Sequence, residues 1–95
     1  MNIQEFANLV SEQQKLAYAK RGNTFDPEKY CATRVIPGKK YTKVDVGSSG
    51  KFMIDSDGNI FGIKGYGVIH RGHHYGTLNT VNQYFWGEYH PIKIK

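Results

Sequence analysis

The sequence predicts an α+β domain: a small antiparallel sheet of roughly three to five strands, with an N-terminal amphipathic helix and one or two short helices packed mainly on one face. An apolar stripe at helical spacing runs through residues 3–20. Period-two alternation, cut by Gly-rich turns, runs through residues 41–71, and Ile alternates with Lys at the end of the chain.

The first helix, within residues 1–22, is marked at both ends. Asn2 can cap the first turn, and Glu5, three residues on, can reach back as a capping box. Ile3, Phe6, Val10 and Ala17 form one stripe, with Leu9 and Leu16 beside it. Lys20 and Arg21 suit the negative end of the helix dipole, and Gly22 suits the left-handed position that ends a helix. A second, shorter helix is expected over 26–36, with Asp26 as cap and Pro27 at the first helical position. Pro37-Gly38 then breaks the chain.

From Tyr41 to Val46, residues Thr42, Val44 and Val46 share one side, and after the turn Gly47-Ser48-Ser49-Gly50, Phe52 and Ile54 point inward. Asp57-Gly58 is a hairpin signal, and Ile60 to Tyr66 returns antiparallel. Gly62, Gly65 and Gly67 mark a bulge, a bend or close approach of another backbone. The strand is expected to continue through Val68-Ile69-His70, which closes the antiparallel region 41–71. Thr80 and Gln83 suggest another capping box, opening a short helix over 80–87. Residues 89–95 read as an edge strand whose lysines discourage aggregation.

The 95 residues form one domain without repeats, linkers or low-complexity segments. A chain of this size buries roughly 60–65% of its unfolded surface, so the core is small. The aromatic rings partly offset that, since each can bury about 150–250 Å². Tyr84-Phe85-Trp86 and Tyr89 read as core. Cys31 is the single cysteine, so no internal disulfide forms. Asn2-Ile3-Gln4-Glu5 lacks a basic leader and an apolar stretch, and no run approaches the roughly 20 apolar residues that span a bilayer. A cytoplasmic protein with no membrane partner is expected.

Net charge is +5, and from Lys29 onward ten Lys and Arg stand against four Asp and Glu. No carboxylate occurs between Asp57 and Glu88. A basic half of this kind attracts phosphate backbones or acidic protein faces, and it excludes an acidic mimic of DNA.

Several local motifs have plain explanations. Gly47-Ser48-Ser49-Gly50-Lys51 resembles a phosphate loop, but Asp45 and Phe52 stand where a Gly and a hydroxyl are required. Asp55-Ser56-Asp57-Gly58-Asn59 imitates a calcium loop, yet Ile60 and Tyr66 occupy the positions of its Gly and bidentate Glu. Both read as turns. His70, His73, His74 and His90 do not match zinc spacing, and adjacent histidines on a strand face opposite ways. No metal and no cofactor are expected. Histidines beside Lys64 and Arg71 would supply the acid, base and charge stabiliser of a small nuclease if they converged.

Nucleic-acid contact fits more of the residues. Lys39, Lys40, Lys43, Lys51, Lys64 and Arg71 can neutralise phosphates. Tyr66, Tyr75, His70, His73 and His74 offer flat faces to unstacked bases, at about 1–3 kcal/mol per stacked base. These eleven residues form the candidate binding set for RNA, DNA or a protein partner, expected on one outward patch of a non-enzymatic protein.

Phe61-Gly62-Ile63-Lys64-Gly65-Tyr66-Gly67, followed by His70-Arg71-Gly72-His73 and Tyr75-Gly76-Thr77-Leu78, resembles small uncharacterised proteins encoded by tailed bacteriophages. The likeness runs from Tyr41 to Trp86. It implies a phage or prophage origin and hence the bacterial host cytoplasm. It also implies binding to host machinery or a nucleoprotein complex, or inhibition of a host defence protein in the manner of anti-CRISPR proteins. No residue role follows from it.

Overall fold

The computed structural model describes residues 1–22, 27–47, 49–65, 68–88 and 91–94. Helix α1 (Ile3–Lys20) is followed by α2 (Pro27–Cys31), β1 (Thr33–Ile36), β2 (Thr42–Val46), β3 (Ser49–Ile54), β4 (Asn59–Gly65) and β5 (Val68–Thr77). A 3₁₀ turn (Val81–Gln83), β6 (Tyr84–Phe85) and β7 (Ile92–Lys93) complete the order. Strands β1 to β5 form one antiparallel sheet in sequence order, and β6 pairs with β7. Among the described residues no helix is long and apolar enough to cross a membrane.

Helix α1 begins where its cap dictates. The Asn2 side chain accepts from the Glu5 N–H at 2.7 Å, and the Glu5 carboxylate accepts from the Asn2 N–H at 3.0 Å. Gly22, at φ 75°, takes the left-handed conformation just past the end. Phe6, Ala7, Val10 and Ala17 are buried, whereas Leu16 is 62% exposed and lies outside the stripe.

The helix covers one face of the sheet. Phe6, Val10, Val44, Phe52, Ile54, Ile60 and Trp86 form the core. Its centre is aromatic: Trp86 stands edge-on to Phe6 at 4.9 Å and to Phe52 at 5.4 Å, and its indole N–H donates to the Val81 carbonyl at 2.9 Å. Two polar residues of α1 hold the irregular backbone there. The Trp86 N–H donates to the Gln13 side chain and the Gln14 amide donates to the Trp86 carbonyl, both at 2.7 Å. Tyr84 packs against this core as expected, while Tyr89 lies outside the described residues.

Three expected elements differ. The short helix ends at Cys31, and residues 33–36 form β1, paired with β2 from Thr33↔Val46 to Ile36↔Lys43. Thr33, Val35 and Ile36 are β-branched, and the Thr33 hydroxyl donates to the Ala7 carbonyl of α1 at 2.9 Å. Residues 80–87 make a single 3₁₀ turn, because Thr80 turns back to accept from the Thr77 N–H at 2.9 Å and makes no cap bond. Tyr84 and Phe85 then pair with Lys93 and Ile92, so the edge strand over 89–95 shortens to Ile92–Lys93. The antiparallel region also outruns residue 71, since β5 extends to Thr77.

The β3–β4 hairpin turns where Asp57-Gly58 predicts. The Asp55 carboxylate accepts from the N–H of Asp57 (3.0 Å), the N–H of Asn59 (2.9 Å) and the Asn59 amide (3.0 Å), while Gly58 sits at φ 84°. Burial alone would raise the Asp55 pKa, but the bonds from Asn59 and Asp57 and the nearby His74 outweigh it and hold it below the usual range. The stabilisation from a depressed carboxylate pKa is fully present above the ordinary value of about 4, declines below it and is lost as pH falls through the lower folded-state pKa. Asp55→Ala is therefore expected to lose about 1–2 kcal/mol at pH 7. Urea titrations near pH 7 and pH 3 check this; a difference from wild type that fails to shrink in acid contradicts it.

Candidate nucleic-acid interface

Alternation across the sheet puts Val44, Phe52, Ile54 and Ile60 under α1 and sends their neighbours to the other face. The register aligns Lys43↔Met53↔Phe61↔His74 as one row across that outer face. Met53 and Phe61 are 5% and 8% exposed there, although the helix lies on the opposite side.

Further rings and cations gather beside this row. The Arg71 guanidinium lies 5.9 Å from the Tyr41 ring and 5.9 Å from the Phe61 ring, and it donates to the Tyr41 hydroxyl. His74 stacks on Phe61 at 5.0 Å and its Nε2 lies 3.2 Å from the Asn59 side-chain oxygen. The Lys40 amine lies 5.6 Å from the Tyr41 ring. Asp45, the carboxylate of β2 on this face, pairs with Arg34 at 3.2 Å.

A wide bulge in β5 explains how Arg71 reaches this place. Phe61 pairs with His74 and Gly62 with His70, so Arg71, Gly72 and His73 are extra residues relative to β4. His73 falls on the other side of the sheet from His74 and stacks on His70 with centroids 3.9 Å apart and planes at 5°. A side chain at Gly72 would come within 3.0 Å of His70 Cε1, so glycine there leaves the His70 ring undisturbed in its stack.

The single patch expected from the sequence is thus divided. Lys40, Lys43, Arg71 and His74 share the outer face, with Lys39 exposed beside Lys40. Lys51, His73 and Tyr75 line a cleft of about 180 Å³ on the core side. Lys64 is exposed three residues beyond Phe61, roughly 10 Å along the strand, and Tyr66 lies outside the described residues. Tyr75 corrects an expectation. Its ring stands edge-on to Phe52 at 6.1 Å and to Trp86 at 6.2 Å, so it serves the core and presents only part of itself to the cleft.

The separation bears on the other chemistries. His74 cannot join His70 and His73 on one phosphate, because the sheet lies between them. Among the described residues no group of three or more His, Cys, Asp or Glu is placed to hold a metal ion. Cys31 is buried, and burial pushes its thiol pKa up, away from reactivity.

Tyr41 and Phe61 were absent from the candidate set. The alternation carried a signal for Tyr41: if Thr42, Val44 and Val46 face in, Tyr41 and Lys43 face out together. Phe61 gave none, since an isolated Phe beside Ile60 reads equally well as core.

The protein is an α+β domain with a five-stranded antiparallel meander covered by helix on one side. Comparison with protein-family models, curated proteins and solved structures finds no match.

Proposed function

We propose that the outer face of the sheet binds single-stranded nucleic acid without enzymatic turnover, with little sequence reading. The observation that carries this is the Arg71 guanidinium beside both Tyr41 and Phe61, flanked by Lys40 and His74. Lys39, Lys40, Lys43 and Arg71 supply phosphate neutralisation, and His74 and Tyr41 supply flat surfaces for bases. Single strands fit better than duplexes, because stacking on a sheet needs splayed bases. A phage-encoded protein with this property would act on nucleic acid in the host cytoplasm.

Fluorescence anisotropy with labelled single-stranded RNA, single-stranded DNA and duplex tests it. Four neutralised phosphates predict a log–log salt slope near −2.8, or roughly fifty-fold weaker binding at 200 mM than at 50 mM salt. Undetectable binding at 50 mM salt, or binding indifferent to salt, sinks the proposal. A host-protein target would instead show as a lysate partner that survives nuclease treatment while oligonucleotides fail to bind.

A further inference from the structure

The core-side cleft has no part in the nucleic-acid surface, and its lining is specialised. Val44 pairs with Phe52 and Asp45 with Gly50, so Lys51 is an extra residue in β3. That bulge delivers the Lys51 side chain to a space walled by Phe52, Gly62, His73 and Tyr75. A side chain at Gly62 would come within 3.1 Å of His73 Cβ and 3.3 Å of the Tyr75 hydroxyl, so the glycine keeps this corner open. The His70 stack holds the His73 ring in place from outside the cleft.

We infer that this cleft is a binding site for a compact phosphate dianion, either inorganic phosphate or the phosphate of a monoester, held by Lys51 and His73 with the Tyr75 hydroxyl as a neutral donor. The chemistry of the lining supports an anion. An ammonium, an imidazole and a phenol line the same cleft, and none of the described lining residues is a carboxylate. Size supports a small one, since about 180 Å³ is below the roughly 300–1,000 Å³ of sites for larger ligands. Burial pushes the Lys51 pKa down and the Tyr75 pKa up. A bound dianion would offset the desolvation of the ammonium, while the phenol stays protonated and able to donate.

The site is independent of the outer-face proposal, and the test separates them. Inorganic phosphate is titrated at neutral pH into the isotopically labelled full chain, followed by two-dimensional NMR. Saturable shifts are expected at Gly50, Lys51, Gly62 and His73, with a Kd on the order of 1 mM for an ion of so few atoms. Lys51→Met is expected to weaken binding about tenfold. His73→Phe, which keeps a flat ring against His70, serves as the second variant and is also expected to weaken it. Outer-face reversal at Lys40 and Arg71 leaves phosphate binding intact. Comparing a 5′-phosphorylated dinucleotide with its 5′-hydroxyl form identifies the source: tighter binding of the phosphorylated form than of free phosphate points to a strand terminus, and equal binding to the free ion. Non-saturating shifts, shifts confined to the outer face, or unchanged affinity in both Lys51→Met and His73→Phe overturn the inference.

Discussion

Trp86→Ala is expected to lower the unfolding free energy by about 3–5 kcal/mol. The indole is fully buried and sits at the junction of four aromatic partners: Phe6 from α1, Phe52 from β3, Tyr75 from β5 and Tyr84 from β6. Removing it opens a cavity that α1 cannot close, because Gln13 and Gln14 fix the neighbouring backbone. A domain of this length has a total stability of about 5–14 kcal/mol, so the loss takes a large share of it. At roughly 4–8 °C per kcal/mol, Tm should fall by at least about 12 °C. Trp86→Phe retains edge-on aromatic contact but leaves the Val81 carbonyl without its indole donor, and should cost less. Urea unfolding followed by circular dichroism measures both. A loss below about 1 kcal/mol for Trp86→Ala would contradict the packing described.

Reversing Lys40 and Arg71 together to Glu should weaken single-strand binding by on the order of a hundredfold at 50 mM salt and flatten the salt slope by about 1.4, the share of two phosphates. Arg71 contributes more than charge, since its guanidinium braces the Tyr41 ring and lies over Phe61. Both side chains are exposed, so stability should change only modestly. Lys20→Glu with Lys29→Glu changes net charge equally but acts on the helices. If that control weakens binding as much as the outer-face pair, attraction is a property of overall charge and the proposed surface has no special role.

The parts of the fold legible in the chain are those whose causes are local. The Asn2–Glu5 box and Gly22 bound α1 within a single turn at each end, and Asp55 to Gly58 closes a hairpin through its own side chain. Thr33–Ile36 escaped because a strand of four residues has no identity until β2 lies beside it. The helix expected over 80–87 failed for a related reason: Thr80 had a competing partner in Thr77, and Tyr84 and Phe85 found another strand.

The binding set shows the same division more sharply. Its positive charge, its glycines and its histidine spacing are properties of the chain, and so is the opposition of His73 to His74 on an extended backbone. Which of them meet was decided only in three dimensions, by two register shifts. One inserts Lys51 into β3 and the other inserts Arg71, Gly72 and His73 into β5. Side chains in a sheet alternate with a period of two, so a shift of a single residue carries a group across it. Those shifts arise from pairing between strands, a constraint no single strand contains. They therefore allot Arg71 to an open surface, and Lys51 with His73 to a cleft beside the core.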